Sequence, residues 1–177
     1  MSSIQIYEKA VKRKNDTPRV VAMVMTVIGY VCFDLAWVLG IVKSGFNAGI
    51  AVLAVISTVL LVNFTWKYFH LEYEYAFENG TLTVAKIYGK RSRRVEARAE
   101  ISDGILIAPA SAENMARLKG YEADQTLYAI SSEKAENIWF ALFEERSTQN
   151  RTCIFFEADE RSIAILRHYN PRATQRV

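Results

Sequence analysis

The densest group of residues that could do chemistry is a basic run from Lys86 to Arg98, which reads KIYGKRSRRVEAR. Clustered cations bind phosphate groups, so the run could contact nucleic acid or anionic lipid headgroups. It could equally be the solvated turn of a β-hairpin, with acids such as Glu96 and Glu100 nearby. The sequence leaves two interpretations open, a solvated turn and contact with headgroups or an acidic partner. The cations concerned are Lys86, Lys90, Arg91, Arg93, Arg94 and Arg98.

Nucleic-acid binding is disfavoured by the charge distribution. Residues 67–177 hold 16 basic and 16 acidic residues, so this part of the chain has no overall field for a polyanion. Binding of single strands also needs aromatic side chains beside the cations, and Tyr88 is the one aromatic residue in the basic run. We therefore expect no nucleic-acid partner.

Catalytic and metal-binding patterns are absent from the sequence. The chain has only two histidines, His70 and His168, and no HxxxH, HExxH, CxxC or glycine-rich phosphate loop. Glu72 and Glu74 share one face of an alternating segment, which is typical of the solvated side of a strand. The sequence therefore predicts a protein that is not an enzyme, with no catalytic residues, no metal ligands and no cofactor.

Two apolar runs near the amino terminus predict a transmembrane helical hairpin. Residues 20–42 carry a single charge, Asp34, and residues 46–66 carry none. About 20 apolar residues suffice to cross the hydrocarbon core, so each run is long enough. Only three residues separate the runs, and the rest of the chain is too small to bury both as soluble helices. The lipid bilayer is therefore the first predicted partner.

The basic flank of the hairpin predicts its orientation. Residues 1–19 form a basic tail with five Lys or Arg residues, whereas the loop between the runs has only Lys43. The positive-inside rule then places both termini in the cytoplasm of a multi-pass plasma-membrane protein. Two unpaired cysteines fit that reducing side. Ile4, Tyr7 and Val11 would share a helical face, which predicts a short interfacial helix. The tail cations expected at the headgroups are Lys9, Lys12, Arg13 and Lys14.

Asp34 is the charged residue that the hairpin would place inside the membrane. A carboxylate at the centre of a span costs a few kcal/mol on insertion scales, and such residues are often functional. The hairpin would place Asp34 roughly opposite Ser57 and Thr58. This favours a hydrogen-bonded or protonated packing residue, and a role in handling a small molecule or ion is the alternative.

After residue 70 the pattern changes to short strands. Residues 71–77 alternate strictly and precede Asn79-Gly80, which is typical of a tight hairpin turn. Further strands are predicted at 81–88, 93–100, 105–108, 127–131, 137–144 and 151–157, with a short helix at 111–119 and a closing helix at 159–169. About seven strands in antiparallel hairpins and a final helix predict a β-barrel or sandwich of the PH-like type over residues 70–170. Residues 171–177 are predicted to be a disordered tail.

A resemblance rests on this order of elements. The run YEYAFENGTLTVAKIYGKRSRR, from Tyr73 to Arg94, follows two spans and a tail that reads IYEKAVKRK. Together they resemble a bacterial family of small two-helix membrane proteins with a PH-like domain, loosely akin to the YcxB-like proteins. The resemblance implies architecture and location, and it brings no catalytic site.

The sequence thus predicts a membrane hairpin joined to an all-β, PH-like cytoplasmic domain. The favoured function is a scaffold or interaction module on the cytoplasmic face, with a protein partner of unknown identity. Two alternatives remain, an oligomer that handles a small molecule or ion through Asp34, and an accessory subunit of a larger membrane complex.

Overall fold

A computed structural model describes residues 6–14, 16–45 and 47–175 of the chain. Two short 3-10 helices, Lys67–Phe69 and Ile101–Asp103, lie between the main elements. The elements are, in chain order, β1 (Tyr7–Lys12), α1 (Thr17–Ser44), α2 (Ala48–Trp66), β2 (Leu71–Glu78), β3 (Thr81–Tyr88), β4 (Ser92–Glu100), β5 (Gly104–Pro109), α3 (Ala112–Leu118), β6 (Gln125–Ala129), β7 (Ile138–Glu144), β8 (Arg151–Glu157) and α4 (Glu160–Tyr169).

Helices α1 and α2 form an antiparallel hairpin close to the predicted positions. Residues 17–43 and 48–69 have mean hydropathies of 2.0 and 2.2, and each helix is long and apolar enough to cross a membrane. None of the most apolar stretch of either helix is buried by the rest of the chain. Asn47 begins α2 by accepting hydrogen bonds from the amides of Gly49 and Ile50. The side chains of these helices therefore have no protein core around them.

The described strands form two four-stranded sheets. In the first sheet β1, β2, β3 and β4 lie in chain order and are all antiparallel. In the second sheet the order is β5-β7-β8-β6, and β6 runs parallel to β8. The PH-like prediction is confirmed. Its expectation of antiparallel hairpins throughout is wrong for β6, which lies at the far edge beside β8 and not beside β7.

Strand β1 corrects the prediction of an interfacial helix in the tail. Tyr7 pairs with Phe77 and Val11 pairs with Tyr73, so the tail is an edge strand of the first sheet. Residues four apart share a face in a helix and also in a strand, so their spacing did not discriminate between the two. The tail is a strand because it pairs with the edge of β2. Ile4, the third residue of the predicted helical face, lies outside the described residues.

The hairpin is therefore inserted between two neighbouring strands of one sheet. Strand β1 precedes α1 and β2 follows α2, and the two strands pair along their whole length. The domain thus begins at β1 and not at residue 70 as predicted. Because its flanks meet in one sheet, both ends of the hairpin emerge on the same side. We call the end of the domain near Lys12, Leu71 and Gly89 the hairpin end, and the opposite end, near Gly80, the far end.

Two apolar clusters hold the domain together. The larger cluster lies between the sheets and includes Tyr75, Phe77, Leu82, Phe156 and, from α4, Leu166. Each of these side chains is at most 1% exposed. The smaller cluster covers the other face of the second sheet, where Phe140 and Cys153 are packed with Leu118 and Met115 of α3. Helix α4 thus closes the larger core, as the sequence predicted.

The carboxyl-terminal segment is ordered through residue 175, which corrects the predicted disorder. The amide of Ile107 in β5 donates to the carbonyl of Ala173, and the amide of Gln175 donates to the carbonyl of Ile107, each over 2.9 Å. Thr174, between them, is 4% exposed. The chain after α4 therefore covers the free edge of β5. Residues 176 and 177 lie outside the described part.

Candidate membrane-facing site

Three segments meet at the hairpin end of the domain. The amide of Arg13, just after β1, donates to the carbonyl of Leu71 over 3.0 Å. The amide of Gly89, in the turn between β3 and β4, donates to the carbonyl of His70 over 2.7 Å. The start of α1, the end of α2 and the basic turn are thus fastened to one another by main-chain hydrogen bonds.

The β3–β4 turn is built for close contact with the chain that leaves α2. Gly89 has a φ of +57°, and a Cβ on this residue would lie 3.1 Å from the Cβ of Lys67. The ring of Tyr88 packs edge-on against Tyr68, with centroids 5.7 Å apart. Glycine is needed here because of both its left-handed backbone and the approach of Lys67. The turn therefore lies at the hairpin end.

The cations of the basic run separate into paired and unpaired groups. Arg93 donates to the carboxylate of Glu74 over 2.6 Å on one face of the sheet. On the other face the carboxylate of Glu96 forms ion pairs with Lys86 at 3.3 Å and with Arg94 at 3.6 Å. A β-bulge after Val84 brings Glu96 to that position. Exposed ion pairs of this kind contribute little to stability, but they neutralise charge locally.

Lys90 and Arg91 are the exposed cations at the tip of the turn. Both side chains project from the hairpin end, and in the described part of the chain neither has an ion-pair partner. Arg98 lies further along β4, opposite Thr83 and away from the tip. Among the cations of the basic run, Lys90 and Arg91 are thus the unpaired ones that lie beside the end of α2.

The tail cations are divided in the same way. Lys12, Arg13 and Lys14 are exposed at the hairpin end, directly before α1. Lys9 lies opposite Tyr75 in the middle of the sheet, where it donates to the carbonyl of Glu157 over 3.1 Å. Lys9 is therefore not part of the hairpin end, although the sequence grouped it with the other three.

Asp159 fastens β1 to α4, a role that the sequence did not reveal. Its carboxylate caps α4 through the amide of Ser162, accepts the hydroxyl of Tyr7 and lies 3.6 Å from the ammonium of Lys9. Partial burial opposes its charge, but these hydrogen bonds and Lys9 lower the pKa of Asp159 to about 2. Burial and the bond to Asp159 raise the pKa of Tyr7 to about 12.

Asp34 is hydrogen-bonded across the hairpin, as expected from its position. The hydroxyl of Thr58 donates to its carboxylate over 2.6 Å, and that of Ser57 bonds the carbonyl of Ala54 instead. Nearer the domain, Tyr30 and Thr65 form a second polar contact between the helices. Asp34 thus takes part in a hydrogen bond between the two helices, and its role as a packing residue stays a prediction.

Replacement of Asp34 by asparagine should leave the hairpin almost unchanged. The amide oxygen of asparagine still accepts from Thr58, and hydrogen bonds between membrane helices contribute on average about 0.6 kcal/mol. We expect a change in stability below about 1 kcal/mol for Asp34→Asn, measured by thermal unfolding of the full chain in detergent. Thr58→Val serves as the control, because it removes the donor and keeps the shape. A much larger loss in Asp34→Asn alone would show that the negative charge is needed.

The histidines and the buried cysteine of the described residues lie apart from one another. In residues 6–14, 16–45 and 47–175, no three His, Cys, Asp or Glu side chains are placed to hold a metal ion. His70 lies near the carbonyl of Trp66, and the ring of His168 packs against Tyr169. Burial raises the pKa of Cys153 to about 12, which keeps this thiol protonated.

Two sheets closed by a carboxyl-terminal helix, with an apolar helical hairpin between the first two strands, define a PH-like domain with two helices that could cross a membrane. The profile of the bacterial PH-like domain family (DUF6106) matches residues 5–176, and the chain belongs to this family. The match runs through β1, both apolar helices and both sheets, and it confirms the resemblance seen between Tyr73 and Arg94. Searches of curated proteins and of solved structures gave no match.

Proposed function

We propose that this protein is a membrane-anchored interaction module whose hairpin end rests on anionic headgroups of the cytoplasmic leaflet. The observation that carries the proposal is the position of the basic turn, which is fastened to the residues directly after α2. The hairpin confines the domain to the membrane surface, and the turn orients it there. The protein performs no chemistry in this role.

The charges at the hairpin end support contact with headgroups. Five exposed cations without ion-pair partners among the described residues lie there, against the nearby acids Glu72 and Asp16. A cation near an anionic leaflet contributes around 1 kcal/mol, and the attraction decays within a Debye length. These residues are close enough to act because they flank both apolar helices. They are Lys12, Arg13, Lys14, Lys90 and Arg91.

Two observations, taken together, support the cytoplasmic side. Pairing of β1 with β2 supports an arrangement in which both flanks of the hairpin share one side of the membrane. Four Lys or Arg residues precede α1 and Arg19 lies in its first turn, whereas Lys43 is the one basic residue near the opposite end of the hairpin. The positive-inside rule then favours the cytoplasm for the domain.

Hydrogen exchange tests the contact with headgroups in the full chain. We expect the amides of residues 86–94 to exchange roughly five- to thirty-fold more slowly in nanodiscs of phosphatidylcholine with phosphatidylglycerol than in phosphatidylcholine alone. That range corresponds to about 1–2 kcal/mol from the two turn cations. High salt should remove the difference, because it screens exposed charges.

Charge variants locate the effect. Lys90→Gln/Arg91→Gln should abolish the slowing by phosphatidylglycerol, because it removes the unpaired cations of the turn. The matched control, Arg98→Gln/Arg172→Gln, removes two cations away from the hairpin end and should keep it. Equal exchange of the wild-type turn in both bilayers would overturn the proposal, and so would an equal loss in both variants.

A further inference from the structure

A groove separates two free strand edges on the domain. Strand β4 pairs only with β3, and β6 pairs only with β8, within the part of the chain that the structure describes. Residues 96–100 of β4 and residues 125–127 of β6 line the same groove, which has a volume of about 670 Å³. The edge of β5, by contrast, is covered by residues 173–175. The β4 and β6 edges thus keep main-chain groups available for another strand.

The floor of the groove is formed by apolar side chains. Ala97 lies opposite Val84 and Ala99 lies opposite Leu82, so both alanines are on the inner face of β4. Their small side chains leave room above the larger core, to which both contribute. Phe143, which is 3% exposed, and Ile154, which is fully buried, complete the floor from the second sheet.

The rim of the groove is acidic. Five carboxylates and two guanidinium groups line it. Glu96, Asp103 and Glu144 are in ion pairs. Among the described residues, the lining groups without an ion-pair partner are the two carboxylates of Glu100 and Glu145 and the one cation of Arg98. An acidic rim repels polyanions and favours Lys or Arg in an occupant. The charged lining residues are Glu96, Arg98, Glu100, Asp103, Glu144, Glu145 and Arg146.

The position of the groove favours a partner from the solvent side. Ile101, at the end of β4, donates its amide to the carbonyl of Gly80 in the turn at the far end. Arg146 reaches Asp103 at the same end, over 2.7 Å. The groove therefore borders the far end of the domain, and its lining includes neither Lys90 nor Arg91.

We infer that this groove binds an extended basic peptide segment of a partner protein, which adds a strand to the edge of β4. Residues 96–100 span roughly 16 Å, so about five peptide residues would pair with them. Alternate small or apolar side chains would lie on Ala97 and Ala99, and Lys or Arg would face the acidic rim. The inference rests on the proposed function as an interaction module, and it names the partner's chemistry.

Peptide titration tests the inference on the full chain in nanodiscs of phosphatidylcholine alone. The probe is a fluorescent nonapeptide that alternates lysine and valine, followed by anisotropy. We expect it to bind at least tenfold more tightly than the same peptide methylated on every main-chain nitrogen, which has equal charge but no main-chain N–H to donate. A glutamate–valine peptide should not bind. Equal binding of the N-methylated peptide would overturn the strand addition.

Two variants place the peptide in the groove. Ala99→Phe fills the floor, and Glu100→Gln/Glu145→Gln removes two rim charges at exposed positions; each should weaken binding at least fivefold. Glu8→Gln/Glu113→Gln, away from the groove, should bind like the wild type. If Ala99→Phe fails to fold, the rim variant, Glu100→Gln/Glu145→Gln, still tests the inference. Unchanged peptide binding in the rim variant would overturn it. A change in oligomeric state in the rim variant would also overturn it, since the occupant would then be a second copy of this chain.

The neutral bilayer separates this test from that of headgroup contact. Peptide binding in phosphatidylcholine does not depend on anionic lipid, so a failure here leaves the slowed exchange at residues 86–94 intact. Conversely, a turn that exchanges equally in both bilayers leaves peptide binding untouched.

Discussion

Val11→Asn is expected to destabilise the PH-like domain by roughly 3 kcal/mol. Val11 is 9% exposed and belongs to the larger core, so the variant loses the transfer free energy of an apolar side chain and buries an amide. The neighbouring residue Ala10 points to solvent from the same strand, and Ala10→Asn should cost less than about 0.5 kcal/mol. A large loss of stability at Val11 and a small one at Ala10 are expected of a strand, because successive side chains in a strand point to opposite faces.

Trp139 provides the measurement for this pair of variants. It is 3% exposed in β7, and its fluorescence should change when the domain unfolds in urea. Trp37→Phe/Trp66→Phe serves as the background, because it removes the two tryptophans outside the domain's core. Small and equal effects at both positions would contradict the pairing of β1 with β2. They would favour instead the interfacial helix that residues 7 and 11 also permit.

Asn170→Asp is expected to be the most damaging single substitution, at roughly 4 kcal/mol. The side-chain amide of Asn170 donates to the carbonyls of Ile101 over 2.8 Å and Gly104 over 2.9 Å, and its oxygen accepts from the amide of Ala173. A carboxylate at this 9% exposed position faces carbonyl oxygens and has no proton to donate. An unpaired buried charge costs more than a lost neutral hydrogen bond.

The loss of stability in Asn170→Asp has two parts, the lost hydrogen bonds and the buried charge. Asn170→Ala and a drop in pH separate them. The alanine variant loses the hydrogen bonds only, which should cost about 2–3 kcal/mol. In Asn170→Asp the carbonyls raise the pKa of the new carboxyl above its unfolded value, so stability is retained at low pH and lost as the pH rises. The difference between the variants in urea unfolding should therefore narrow on acidification. Asn150→Asp, in the exposed turn after β7, is the control and should be nearly neutral. A pH-independent difference would contradict this explanation.

The first β-hairpin of the domain shows why much of the fold could be predicted. Residues 71–77 alternate between buried and less buried positions, and Asn79 and Gly80 adopt positive φ values of 49° and 80°. Both features depend on residues close in sequence, since the period of two and the turn chemistry are local. The two apolar helices were predictable for the same reason, because their length and composition are read without any partner.

The candidate site was only partly predictable because ion pairing crosses strands. Arg93 of β4 pairs with Glu74 of β2, and Lys86 of β3 pairs with Glu96 of β4. No local pattern separates these two cations from Lys90, which remains unpaired among the described residues. Likewise the acidic groove is lined by β4 and β6, which are about 25 residues apart in sequence and pair with different neighbours. No local pattern shows that the two strands lie close together.

The sequence by itself determined the two apolar helices, the order of most strands, the closing helix and the membership of a PH-like class, because local periodicity and composition specify each of them. The tertiary structure alone decided that β1 belongs to the domain, since a spacing of four residues suits a helix and a strand equally until β2 offers its edge. It also decided that the basic run lies against the residues after α2, because register and the contact of Gly89 with Lys67 fix that end of the sheet.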